Sequence, residues 1–315
     1  MENEVYYEVL LGCSPPLNEK SYTAEEHYAL LESVLGIYGK SIKAPVVIIG
    51  DNCLTNKALA DLMGVPLIGC GCHKLNLAVK AYLARRPAVE KTIARVDKVV
   101  SQLRNLKAAG ALRELTSLTP IKRNARQLDD IDSIGRADSE RLKTIIPSLN
   151  DFRSIMTDLQ KKGQHIGAVH ETFGLMTKDY PELKDYLAAD AAIAHNPLFE
   201  SAVVKIINGE KDSLTVEEKD QVACFLLPSA SAASATQRRP IQSRDKKTYA
   251  SQLRERKRQR MTPSEEYADL RFITGTSASE ERRFSSAMHV LRSTRKRLTP
   301  VNFEKLLFLK HNRHL

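Results

Sequence analysis

Four apolar residues, Val46 to Ile49, run straight into Gly50-Asp51-Asn52, and the stretch from there to Val79 constrains the fold more than any other. A short apolar run that ends in a turn signal reads as a buried strand. Cys53 to Met63 then has helical spacing (Leu54, Ala58, Leu59, Leu62), and Gly64 stops it. Val65 to Ile68 is a second short strand. It ends in Cys70-Gly71-Cys72-His73, and a long helical pattern follows. The unit is a parallel β-α-β with its chemistry-bearing side chains at strand ends, where α/β sheets place ligands.

On either side of this unit the pattern alternates. Val5 to Leu11 is β-branched and aromatic, and reads as a strand. Thr23-Ala-Glu-Glu26 has capping-box spacing and opens a helix whose stripe is Tyr28, Leu31, Val34, Leu35 and Tyr38. Residues 1–73 therefore read strand, helix, strand, helix, strand. From 74 to 227 the patterns are helical, with a break expected at Pro87 and an irregular polar stretch from Thr116 to Arg136. Residues 228–260 begin as a small, polar, basic linker and end in a basic helix carrying Arg256, Lys257, Arg258 and Arg260. Residues 261–315 hold two more helices. One starts near Glu280; the other starts at Pro300 and carries the apolar residues Phe303, Leu306, Leu307 and Leu309.

The net charge of +10 is concentrated late in the 315 residues. Residues 236–260 carry ten Lys and Arg against two Asp and Glu, and 261–315 carry ten against six. The C-terminal third is thus where a polyanion would bind, although a basic helix can simply be a solvated face. The run Arg256-Lys-Arg-Gln-Arg260 is compatible with nuclear import or with phosphate contact. Five irregularly spaced cysteines and an acidic start, Met1-Glu-Asn-Glu4, suggest a reducing compartment with no disulfide framework and no secretory leader. Nothing approaches the roughly 18 consecutive apolar residues of a membrane helix.

Asp51-Asn52, then Asn56, then Cys70 and His73 resemble the middle of hAT-superfamily transposases, the hobo and Activator type. In that family a strand ends in Asp-Asn, an Asn follows, and a Cys-x-x-His motif comes after the next strand. The C-terminal segment resembles the same family's dimerisation region through Glu281-Arg-Arg-Phe-Ser285, Arg295-Lys-Arg297, Pro300, Phe303-Glu304, Leu306-Leu307 and Lys310-His-Asn312. Asp190 to Lys205 resembles the helical region of one large hAT subgroup.

The resemblance implies a ribonuclease H-like fold with a large helical insertion, and strand transfer on DNA by two Asp and one Glu holding two Mg²⁺ ions. One ion activates the attacking water or 3′-hydroxyl and the other stabilises the leaving oxygen. Asp51 would be the second Asp and Glu281 the Glu. Cys70 and His73 would lie near flanking DNA, joined in DNA binding by Arg282 and the basic run. Phe284, Phe303, Leu306, Leu307 and Leu309 would form the dimerisation surface of a homodimer or higher oligomer.

The sequence departs from the family in three ways. The first Asp and its strand have no place before Val5, so the fold is expected as a partial ribonuclease H-like sheet lacking its first strands. Pro120-Ile-Lys-Arg-Asn124 survives in the insertion, but the Trp that follows in the family is absent, and the chain has no Trp. In the Glu motif, Glu280 and Arg283 replace small or apolar residues. The expectation is a nuclear, transposase-like protein without transposition activity of its own, with no certain cofactor, no membrane partner and no small-molecule substrate. It would retain DNA binding and self-association. The alternatives are a truncated gene model of an active transposase, a pure interaction module, and a nuclease that recruits Glu8. Each residue also has a plain reading. Asp51-Asn52 can be a turn or cap, and Glu281 a solvated first-turn acid. Cys70, Cys72 and His73 are too close together to make a tetrahedral zinc site without a second pair.

Overall fold

The computed structural model describes residues 7–12, 21–103, 135–227, 266–290 and 298–313. They are mostly helical, and among them the only strands are two that pair in parallel. The chain divides into two compact units, Met1–Asn76 with Ile155–Leu315, and Leu77–Ser154.

In the first unit, Thr23 caps α1 (Ala24–Ile37) by accepting the Glu26 N–H at 3.4 Å. Strand β1 (Ile48–Gly50) pairs with β2 (Leu67–Gly69) in the register Ile48 to Leu67, Ile49 to Ile68 and Gly50 to Gly69. The crossover is α2 (Leu54–Met63), which ends on Gly64 in the left-handed conformation at φ +67°. Both strands begin later than the apolar runs at Val46 and Val65. Pro66 explains this: its carbonyl accepts Ile48 N–H at 2.9 Å, but it has no N–H to return.

The strand expected over Val5 to Leu11 is not formed in its described part. Tyr7 to Gly12 makes no strand pairing, because its backbone is bonded to side chains instead. Leu10 N–H donates to Asn312 Oδ1 at 2.9 Å, Asn312 Nδ2 donates to Leu10 O at 2.8 Å, and Tyr38 donates its hydroxyl to Leu11 O at 2.5 Å.

Helix α3 (Gly71–Ala84) follows β2, and Pro87 starts α4 (Pro87–Leu103) where the break was expected. The next helices are α5 (Arg136–Leu159), α6 (Ile166–Asp179), a single turn α7 (Lys184–Leu187), α8 (Pro197–Ile207) and α9 (Val216–Gln221). Thr215 and Glu218 close a capping box on α9. The chain then reaches α10 (Ala278–Val290) and α11 (Pro300–Asn312), the latter capped by Thr299.

The described part of 74–227 is helical, and its later helices pack on the sheet. Ile68 of β2 shares a core with Ile166 of α6, Phe199, Val203 and Ile206 of α8, and Tyr267, Leu270 and Ile273. A smaller cluster joins Leu10, Ala287 and Leu307, with Phe303 packed against it.

Within the second unit, Tyr82 meets Phe152 edge-to-face at 5.1 Å and donates to Ser148 Oγ at 3.2 Å. The Arg86 guanidinium carbon lies 3.6 Å from the Tyr82 ring centroid. Asp138 accepts from Thr92 at 2.8 Å, Arg95 at 2.6 Å and Arg141 at 3.0 Å, and these donors, Thr92 foremost, hold its carboxyl below the usual range. Helix α5 carries Pro147 in its interior, at the cost of one backbone hydrogen bond.

Candidate functional site at the strand ends

Gly50 and Gly69 are partners at the C-terminal ends of β1 and β2, and Cys70 N–H continues the ladder to Gly50 O at 2.5 Å. Asp51 and Cys70 therefore leave the sheet side by side. Asp51 is exposed, and Asn56 secures it: the Asn56 amide donates to Asp51 Oδ1 at 2.6 Å and to Asp51 O at 3.2 Å. The Cys53 thiol caps α2 by accepting Asn56 N–H at 3.4 Å. The Asp-Asn…Asn spacing is thus a turn that aims one carboxylate into solvent.

Asn52 points the other way. Its side chain lies so close to Gly69 that a Cβ there would come within 2.3 Å of Asn52 Nδ2. Both Asn52 amide atoms are buried with no hydrogen-bond partner. An unsatisfied buried amide costs about 1–3 kcal/mol, so this turn is held by its surroundings rather than by its own bonds.

Cys70 is fully buried at the start of α3. Its sulfur accepts Ser277 N–H at 3.4 Å. The Cys72 thiol, helped by Ser277 and the His73 N–H, lowers the Cys70 pKa to about 5 against the opposing effect of burial. Cys72 is pushed far up, first by its bond to the Cys70 sulfur, then by burial and by the Glu281 carboxylate. The bond between the two sulfurs thus favours the thiolate on Cys70 and the thiol on Cys72.

Residues 273–277 bring the C-terminal segment here. Gly71 N–H donates to Gly275 O at 2.9 Å, Ile166 N–H to Ile273 O at 2.9 Å, and Thr276 Oγ1 to Leu159 O at 3.3 Å. This anchoring sets the first turn of α10, with Glu280 and Glu281, beside the Cys70–Cys72 pair. Cys70 thus meets Gly50 of the first block and Ser277 of the last at one end of the sheet, and Glu281 is near enough to Cys72 to raise its pKa. His73 is half-buried beside them. Arg282 is exposed but engaged, its guanidinium donating to Gln160 O.

These residues do not fit a two-metal centre. Among the described residues no group of three or more His, Cys, Asp or Glu side chains could hold a metal ion, and the Asn56 amide occupies one oxygen of Asp51. Arg256, Lys257, Arg258 and Arg260 lie outside the described residues. The dimerisation set divides. Leu307 is buried and Phe303 packs beside it, whereas Phe284, Leu306 and Leu309 are exposed at 65%, 42% and 66%.

A second constellation was not expected from the sequence. Glu200 of α8, wholly buried, accepts from Lys74 of α3 at 3.0 and 3.3 Å and pairs with His170 of α6 at 3.0 Å. Burial alone would raise its pKa; the His170 and Lys74 interactions outweigh burial and lower it. The available signal was a single acid inside the apolar run Pro197-Leu-Phe-Glu-Ser-Ala-Val-Val204. His165, which caps α6, and His195, which bonds Asp61 at 2.9 Å, have structural roles.

No protein-family model matches the sequence, and no curated protein is similar to it.

Proposed function

We propose that the chain is a hAT-transposase-derived protein with a ribonuclease H-like ancestry, which no longer performs strand transfer by itself and acts by self-association and DNA binding. The observation that carries this reading is the meeting at the strand ends of the Asp51–Asn56, Cys70–His73 and Ser277–Glu281 blocks. Their order and spacing prompted the family resemblance. Self-association is supported by exposed apolar side chains on the last two helices, Met288 at 71% and Leu309 at 66% among them. DNA binding rests on the basic residues between 236 and 260.

Sedimentation velocity over a range of concentrations tests the first activity. The wild-type chain should associate, and Met288→Glu with Leu309→Glu should shift it to monomer. Fluorescence anisotropy with a labelled duplex tests the second, with affinity falling steeply as salt rises. A monomer indifferent to both substitutions, with salt-insensitive or absent DNA binding, would end the proposal. Mg²⁺-dependent nicking lost in Asp51→Ala would restore an enzymatic reading. Association without DNA affinity would favour a pure interaction module, a reading to which the exposed apolar residues also lend support.

A further inference from the structure

The two strands differ at their outer edges. In a parallel pair, alternate residues of each strand turn both N–H and C=O toward the partner, and the residues between them turn both away. Ile48 and Gly50 are the inward residues of β1: Ile48 N–H donates to Pro66 O at 2.9 Å, and Gly50 O accepts Cys70 N–H at 2.5 Å. Val47 and Ile49 therefore point away from β2. On the far side of β2, Asn196 Oδ1 accepts Leu67 N–H at 2.8 Å, and all of β2 is buried. Nothing comparable caps β1. Among the described residues no group bonds the backbone N–H or C=O of Val47 or Ile49. β1 is half-buried throughout, and Val46 before it is 41% exposed. An open edge of this kind is a template for a strand of another chain.

The pattern of the open groups selects the strand that fits. A two-fold axis at Ile48 sets Val47 opposite Ile49 of a second copy, and Ile49 opposite that copy's Val47. Opposed residues of this kind in an antiparallel ladder exchange both N–H···O=C bonds, so every open group of Val47 and Ile49 finds a partner. Further out, Asp51 meets the second copy's Pro45. Pro45 has no N–H to give, and Asp51 O needs none, because Asn56 Nδ2 already donates to it at 3.2 Å. Asp51 N–H is left to donate to the Pro45 carbonyl. Lys43 and Asp51, both exposed, flank the edge with opposite charges, and the antiparallel direction brings the Lys43 end of one copy to the Asp51 end of the other.

We infer that the outer edge of β1 pairs antiparallel with the same edge of a second copy, joining the two sheets into one. The Val47 and Ile49 side chains stay on their own core. Ile48, on the opposite face, meets the second copy's Ile48 at the axis, in the type of pair whose side chains come closest. This contact is separate from the one proposed for α10 and α11 and does not rest on it. It is short, so it is the weaker of the two and acts at higher concentration.

The test uses the full chain carrying Met288→Glu and Leu309→Glu, and reads the edge residue by residue. Exchange of the Val47 and Ile49 amide hydrogens should be fast in dilute solution and should slow as concentration rises from micromolar to submillimolar. Adding Val47→Pro removes an outward N–H and no bond to β2, a position where an edge strand tolerates Pro. It should weaken the pairing about ten-fold or more, the size of two net hydrogen bonds, with circular dichroism confirming that it folds. Ile48→Cys, oxidised at high concentration, should give a dimer linked through the two substituted thiols, mapped by mass spectrometry, and Ile49→Cys should not. Val47 and Ile49 amides that exchange slowly at every concentration would overturn the inference, because the edge would then be covered within one chain. Fast exchange at every concentration, or no linkage through Ile48→Cys, would overturn it as well. Wild-type association lost with Met288→Glu and Leu309→Glu, without protection at Val47 and Ile49, would keep the α10–α11 reading and end this one. Protection at Val47 and Ile49, with association unmoved by those two changes, would do the reverse.

Discussion

Asn312 gives Leu10 both of its backbone hydrogen bonds, one through its amide oxygen at 2.9 Å and one through its amide nitrogen at 2.8 Å. One carboxamide at the end of α11 does for an extended segment what a neighbouring strand normally does. Both residues are only 8% exposed. Replacement by Ala leaves a buried N–H and a buried C=O unpaired, so Asn312→Ala should cost about 2 kcal/mol or more in urea unfolding. Asn312→Asp keeps the acceptor and loses the donor, and should fall between wild type and Ala.

Breaking the Lys74–Glu200–His170 network from one side strands a buried charge. Glu200→Ala should destabilise by about 3–5 kcal/mol, and the double change Lys74→Met, Glu200→Leu by much less. Because the Glu200 pKa is lowered in the folded state, its contribution is complete above the unfolded carboxyl value, about 4.3. That contribution is lost as pH falls through the folded value. Denaturant midpoints measured down through pH 4 should drop more steeply in wild type than in Glu200→Gln.

The paired thiols make a prediction in the opposite part of the pH range. The folded Cys70 pKa is about 5, against about 8.5 unfolded. Its contribution to stability therefore grows from about pH 5 and is complete above about 8.5. Cys72, shifted upward, contributes fully below the same unfolded value and loses that contribution as pH rises. Ultraviolet thiolate absorbance should show one thiolate forming near pH 5. Its absence from wild type, or its persistence in Cys70→Ser, would refute the assignment.

Gly69→Ala places a methyl group within 2.3 Å of Asn52 and should cost about 1–3 kcal/mol through overpacking. In an Asn52→Gly background the cost should nearly vanish. A thermal-melt double-mutant cycle reads that coupling.

How much of this was legible beforehand depended on whether the signal was local. The β-α-β unit, the Pro87 break and the start at Pro300 were readable because each is set by a few neighbouring residues. Tyr7 to Leu11 has strand composition but no strand beside it, and composition does not supply a partner. The acid at Glu200 looks like any surface Glu until α3 and α6 bring Lys74 and His170 to it. Of the candidate site, the positions of Asp51 and Cys70 at strand ends were readable from the turns. The grip of Ser277 on Cys70, from 207 residues away, was not.

The bonds from Gly71 to Gly275 and from Ile166 to Ile273 also bear on how the protein is made. Leu77–Ser154 is contiguous in sequence, so all of its residues have left the ribosome while translation is still under way. The sheet-bearing unit is interrupted, and the carbonyl that receives Gly71 is added some two hundred codons after it. During that interval the start of α3 and the Cys70 thiol lack their final partners, and nascent-chain chaperones would find them uncovered.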